Sequence, residues 1–523
     1  MSKKNGPINL ILAVVIVIVI ASLIPFIYAS KFAYPWADDF AYGAKAREAF
    51  MTTGSVMKTI SSAAETTRQI YFDWQGTYTS CFLMSLQPAV WNVKLYHLTG
   101  LIMVGAMLFA YLAFGRVLFK KILRMPRQVA LSITLLVYLA SIQMATGIAE
   151  GFTWFNSAVH YTFMHSLFIF FVAMVLSYLG DVIRNKNGMN VGKVAVREVL
   201  LCVLAIIVAG GNNLTTLGGV LTVFMTEGAL LFYYLLYTKK KGKEVLAAGK
   251  LFLPIMIAYL IGFLCNVLAP GNSKRMAISV GERKTDFISI VINAFRVCVV
   301  DIKDKMTLEI LMILLIVAVL TWYSFTKFGA LEKVDFSFPL PGLVIIASFC
   351  FVAALYCPML LVTDLNEEFK YIYIDATVVA RTENVVFFFM VLLSALDIIY
   401  CLGWLNKKGL HFSVNWLSFG IAIVAAIVCA VVVKGNLQDF KRTYLTAAAV
   451  RDIQNQTAQY YGYQMAVNTQ RLTSEDSDVL VMPIAVDPKT LFPYDAADWK
   501  EGTRGYYHKN TVEYESEPYK FDR

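Results

Sequence analysis

Charge is scarce in this chain: 16% of its 523 residues are Asp, Glu, Lys or Arg, against about 25% in a soluble domain. With 58% hydrophobic residues and a mean hydropathy of +0.61, that scarcity excludes an ordinary water-soluble globule. Histidine is rarer still, at 5, and the 8 cysteines never stand as Cys-x-x-Cys, so the spacing of a zinc site is missing. Cys81, Cys202, Cys265, Cys298, Cys350, Cys357, Cys401 and Cys429 fall mostly within or beside apolar runs and read as buried free thiols. There is no internal repeat, which excludes a solenoid. No small-residue cleavage site follows the first apolar run, Ile8 to Tyr28, so this run reads as a spanning helix rather than a signal peptide.

What the chain has instead is apolar runs of roughly 18 residues or more from end to end, each able to cross a hydrocarbon layer as a helix. The expected fold is an α-helical polytopic membrane protein with about eleven spans. Lys and Arg collect in short cytoplasmic loops. Here they flank the spans in clusters: Lys3 and Lys4; Arg116 to Arg127; Arg184 to Arg197; Lys239 to Lys243; Lys327 and Lys333; Lys407 and Lys408. All fall on one side if Gly281 to Lys305 stays outside as an amphipathic or re-entrant element. The N-terminus is then inside, and the C-terminal tail outside. The net charge of +10 reads as topology and attraction to membrane lipids, not nucleic-acid binding.

Sidedness delivers a set of polar residues to the outer face. The first outer loop, residues 29–92, opens with Trp36-Ala37-Asp38-Asp39-Phe40 directly after a span. The two carboxylates either cap the helix that follows or act chemically. Neighbours on a helix diverge by roughly 100 degrees, so they cannot face one bond as a glycosidase pair does. Further along, Thr59 to Trp74 reads as an interfacial helix ending near Gly76. Later outer loops carry Glu150 to Tyr161, Gly210 to Asn213, Asn266 to Arg275, and Arg381. Their aromatic faces and amides suit a sugar, and Arg275 and Arg381 suit a phosphate. Membrane-belt aromatics and a simple Ala-Pro-Gly-Asn turn are the alternatives.

Together these features resemble the GT-C class of membrane glycosyltransferases, which take sugar from a polyprenyl-phosphate carrier. More narrowly, Trp36-Ala37-Asp38-Asp39-Phe40, Trp74-Gln75-Gly76, the Glu150 to Tyr161 loop and Ala269-Pro270-Gly271-Asn272 with Arg275 are similar to an uncharacterised bacterial family classed as a domain of unknown function. The likeness runs over most of the chain. One departure is Thr77, where that pattern has a basic residue; phosphate binding then rests on Arg275, Arg381 or Arg68.

The resemblance implies an inverting transfer at the outer face of a bacterial cytoplasmic membrane, from a polyprenyl-phosphate-linked donor to an envelope glycan acceptor. An acidic residue of the first outer loop is the implied base. Asp38 is the candidate, with Asp39 orienting it or capping the helix, and a Mg or Mn ion at Asp38 and Asp39 is left open. The candidate substrate-binding residues are Tyr42, Arg68, Trp74, Glu150, Trp154, Asn156, His160, Tyr161, Asn212, Asn213, Asn272, Arg275 and Arg381.

Beyond this domain, residues 1–437, composition changes. Residues 438–523 read as a small extracytoplasmic α/β segment, with a helix from Phe440 to Tyr461 and a strand from Asp478 to Val486. It is expected to pack on the outer loops. The competing functions are a flippase for lipid-linked saccharides, a polysaccharide polymerase or ligase, and a non-catalytic assembly protein. A flippase calls for symmetric halves and broken or charged helices at mid-membrane. Here polar residues gather at one face instead.

Overall fold

A computed structural model describes residues 6–184, 191–279, 286–361, 380–410, 444–491 and 499–515. Among them, eight helices are long and apolar enough to cross a membrane: Gly6–Ser30, Thr99–Ile122, Phe155–Arg184, Asn213–Leu235, Lys243–Val267, Leu308–Lys327, Pro341–Leu361 and Ala380–Lys407. Helix α1 (Gly6–Ser30) shows why lipid is the solvent. Its stripe Val15, Val19, Leu23 and Phe26 is buried, while Leu10, Val14, Val17, Ile20 and Ile24 are exposed. A helix that is apolar on every face needs an apolar surround. The chain is thus a helical, multi-pass membrane protein.

Three further spans were expected. Arg127–Gln143 is apolar but has only 17 residues. Val191–Ala209 carries Lys193, Arg197 and Glu198 in its first half. The eleventh span, expected between Lys408 and the C-terminal segment, lies outside the described residues. Gly281 to Lys305 was expected as an outer amphipathic or re-entrant element; its described part is the helix Phe287–Lys305, capped by the Asp286 carboxylate on the amides of Ile288 and Ser289, and residues 281–285 lie outside the described residues.

The long helical element Asn213–Val267 doubles back on itself. The Tyr259 hydroxyl lies 3.2 Å from the Thr216 carbonyl it donates to, and Gly249 faces the Glu227 carboxylate. Its apolar halves are therefore antiparallel. Asn266 ties off the open end, its Nδ2 donating to Ala209 O at 2.9 Å and Gly211 O at 3.0 Å.

Two polar ends result. At one, Lys121 and Arg197 both pair with Asp181, at 2.7 and 3.1 Å, and Lys407 donates to the carbonyls of Leu331 and Val334. The other end gathers the acidic, aromatic and amide-bearing segments. Helices α2 (Asp38–Thr53), α3 (Val56–Asp73) and α4 (Tyr78–Ser85) lie there.

The segment expected as an open loop from Glu150 to Tyr161 is instead helical. It runs through a π turn at Ala149–Thr153, the short helix Phe155–Ala158 and a second π turn at Val159–Phe163. The break at Trp154 is extended, with φ −85° and ψ 108°. Ala-Pro-Gly-Asn likewise opens the helix Pro270–Ser279 rather than forming only a turn, because proline suits a first helical turn.

In the C-terminal segment, helices Leu445–Gln454 and Thr457–Leu472 are separated by Gln456 at φ 57°. The expected single helix from Phe440 to Tyr461 is thus broken, and residues 440–443 lie outside the description. The strand covers Asp478–Val481 only, because Pro483 follows and lacks the N–H a ladder needs. It pairs in parallel with Thr511–Tyr514. This segment sits on α2: the rings of Tyr506 and Tyr507 meet Phe40 at 5.2 and 5.8 Å, and Arg47 covers both.

Candidate functional site

The acidic pair begins α2 and splits there. Asp39 is buried. Its Oδ2 accepts the Trp36 N–H at 3.0 Å and the Tyr96 hydroxyl at 2.6 Å, and its Oδ1 accepts the Asn156 N–H at 3.0 Å. Tyr96 in turn accepts the Phe155 N–H at 2.9 Å. Asp39 and Tyr96 thereby satisfy the first amides of Phe155–Ala158, the orphan donors of any helix start. Burial pushes the Asp39 carboxyl up to about 7, against the lowering effect of these three donors. Asp39 is a positioning group that joins the first loop to the broken span.

Asp38 has the opposite surroundings. It is exposed to solvent, yet protein crowds it closely enough that burial raises its carboxyl; the charges of Arg381 and Arg275 oppose that rise. A group both accessible and crowded lies in an open recess. Tyr42 follows one helical turn later, on the face Asp38 occupies.

Two arginines flank the recess, each seated on an indole. Arg275 lies 5.0 Å from the Trp74 ring centroid, and its Nη1 donates to Gln75 Oε1 at 2.5 Å. Gln75 Nε2 continues to the Tyr42 hydroxyl at 3.1 Å and to Cys81 Sγ at 3.2 Å. The two motifs that meet here interlock: Asn272 Oδ1 accepts the Gly76 N–H at 2.9 Å. A Cβ on Gly76 would stand 1.9 Å from Asn266 O, and one on Gly271 2.6 Å from Trp74 N. Only glycine permits that approach.

Arg381 lies 5.2 Å from the Trp154 centroid and pairs with Glu150 at 3.4 Å; its backbone N–H also meets that carboxylate, at 3.1 Å. Trp154 is buried and donates through Nε1 to Trp36 O at 3.1 Å. It is a structural strut and not a belt residue. Of the two cations, Arg381 has a carboxylate beside it, whereas Arg275 rests on a neutral amide.

His160 closes the recess. Its Nδ1 lies 2.7 Å from Ser80 Oγ, Asn212 Nδ2 donates to its carbonyl at 2.6 Å, and the Tyr161 ring stands edge-on at 4.7 Å. Arg275 and Arg381, the cations acting on Asp38, are also within electrostatic reach of His160.

Asp38, Tyr42, Trp74, Glu150, Trp154, His160, Tyr161, Arg275 and Arg381 are therefore grouped, with Asn212 and Asn272 as braces. Asn156 contributes its backbone N–H; its buried side-chain amide pairs with nothing among the described residues. Two candidates stand apart. Arg68 is an exposed residue of α3, paired with Glu65 at 3.1 Å and resting on Phe72. Asn213 is exposed at the start of its helix. Thr77, the departure from the family pattern, is buried against Cys81.

Sequence reasoning missed Gln75, Ser80 and Tyr96. Gln75 lay inside a noted motif; Ser80 and Tyr96 carry no local signal. The described cysteines are all free, and only Cys81 and Cys298 are buried, which corrects the expectation of general burial. A metal bridging Asp38 and Asp39 fits these residues poorly. Asp39 has both oxygens turned to protein donors, so of the acidic pair only Asp38 would be free to hold a divalent ion. No model of a known protein family matches the chain, and a search of curated proteins returns no match.

Proposed function

We propose that the chain is an inverting membrane glycosyltransferase that moves a sugar from a polyprenyl-phosphate carrier to an envelope glycan, with Asp38 as the base. The observation that carries this reading is the convergence of an accessible carboxylate with two indole-seated guanidiniums in one recess.

The chemistry follows from the roles. A sugar hydroxyl is a weak nucleophile, and a carboxylate within reach takes its proton as the oxygen attacks the anomeric carbon. The bond from that carbon to the carrier phosphate breaks, and the phosphate leaves with the electron pair. Its growing negative charge is stabilised by Arg275 and Arg381, whose donors are already held in place. Attack opposite the leaving group inverts the anomeric centre. Trp74, Tyr42 and Tyr161 supply faces for sugar rings.

The orientation belonging to this reading puts the Lys121 and Lys407 end in the cytoplasm and the recess outside. Eleven spans and an extracytoplasmic C-terminal segment complete it, in the plasma membrane of a bacterium. Purified protein in detergent, given a polyprenyl-phosphate sugar and a glycan acceptor, releases free polyprenyl phosphate. A flippase or an inert assembly protein leaves the donor intact, and that result sinks the proposal.

A further inference from the structure

The proton count around Ser80 decides what His160 presents to the recess. The Ser80 hydroxyl lies 3.1 Å from the Thr77 carbonyl and 2.7 Å from His160 Nδ1. A hydroxyl has one proton, and a carbonyl only accepts. Both contacts are satisfied when Ser80 donates to Thr77 and His160 Nδ1–H donates to Ser80. The neutral imidazole then carries its lone pair on Nε2.

That nitrogen makes no hydrogen bond to any described residue, and it is not among the buried polar atoms sealed from solvent. Asn212 holds the His160 backbone, and the perpendicular Tyr161 ring limits the imidazole's rotation. Nε2 is thus a held acceptor with access to solvent, on an imidazole that lies within electrostatic reach of both guanidiniums.

We infer that His160 Nε2 accepts a hydrogen bond from a hydroxyl of the donor sugar, and that Ser80 is the positioning residue that sets its tautomer. This rests on the carrier reading above. A phosphodiester has no proton to give, so the lone pair gains nothing from the phosphate itself. The sugar is one bond from that phosphate, which Arg275 and Arg381 bind beside His160. The residue therefore distinguishes a glycosylated carrier from a bare one.

Binding of polyprenyl phosphate and of polyprenyl-phosphate hexose to the full chain in detergent micelles tests this. His160→Ala loses about tenfold in affinity for the glycosylated carrier, the worth of one hydrogen bond, and keeps its affinity for the bare one. Ser80→Ala loses about threefold, again on the glycosylated carrier only. Retained binding of the bare carrier also shows that the variants are folded. Equal loss on both carriers means the imidazole donates to phosphate and overturns the assignment, as does no loss on either. If the wild-type protein binds neither carrier, the carrier reading fails and this inference falls with it.

Discussion

Asp38 and Asp39 are adjacent, and the angle of about 100 degrees between neighbours on a helix separates a solvent-accessible recess from the core. Their substitutions part accordingly. Asp38→Asn keeps fold and abundance, and lowers sugar transfer at least about a hundredfold, the lower range for loss of a general base. Full transfer by this variant removes Asp38 from the chemistry. Asp39→Asn turns an amide N–H toward a donor that a carboxylate had accepted. It costs about 1–3 kcal/mol in thermal stability.

The Asp39 carboxyl also makes stability depend on pH. Burial raises it from its ordinary value to about 7 in the folded protein. Its contribution is then fully present below the unfolded value and lost as pH rises through the folded one. The wild-type unfolding free energy falls from about pH 4 to about pH 7, with a slope of at most about 1.4 kcal/mol per pH unit, and the melting temperature falls with it. Asp39→Asn flattens that slope, and an unchanged slope in the variant assigns it to another group.

At the scale of elements, the recess is held by segments that lock to one another rather than by any single helix. The turn Trp74-Gln75-Gly76 docks on the start of Pro270–Ser279 through glycines on both sides, and that contact puts Arg275 on its indole. Gly76→Ala forces apart backbone that stands in contact. The expected cost is about 1–3 kcal/mol, as for overpacking, with donor affinity falling as the Arg275 platform shifts. A second element-scale expectation concerns metal. In the proposed reaction Arg275 and Arg381 neutralise the leaving phosphate, and Asp39 is committed to protein donors, so transfer is expected to survive a chelator. Complete loss that Mg or Mn restores would place an ion on Asp38.

At the scale of the whole molecule, helix ends of one polar character meet at one face and those of the other character at the opposite face. Cysteine substitution in a background with Cys265 and Cys350 changed to Ser reads the orientation. Lys274→Cys is labelled by a membrane-impermeant thiol reagent applied to intact cells, and Lys120→Cys is labelled only after lysis. The reverse pattern inverts the proposed topology. The C-terminal segment belongs to the recess face: besides the Phe40 contacts, Tyr506 accepts from Gln87 Nε2 at 3.1 Å, and Thr153 donates to Thr490 O at 2.8 Å.

Sequence by itself determined the membrane-spanning class and most of the span positions, because a continuous apolar run long enough to cross a bilayer is a local property. It also marked Asp38, Arg275 and Arg381 as candidates, through residue type and the alternation of basic clusters. Only the tertiary structure decided which of these meet. Arg68 carries the same charge as Arg275 but lies on an exposed helix face beside Glu65. Asp39 carries the same carboxyl as Asp38 but is spent on Trp36, Tyr96 and Asn156. The break at Trp154 needed Asp39 and Tyr96, both more than fifty residues upstream, to satisfy the amides that follow it. Partners so distant in the chain leave no periodicity or spacing to read, since they are set by packing and by the demand that every buried donor find an acceptor.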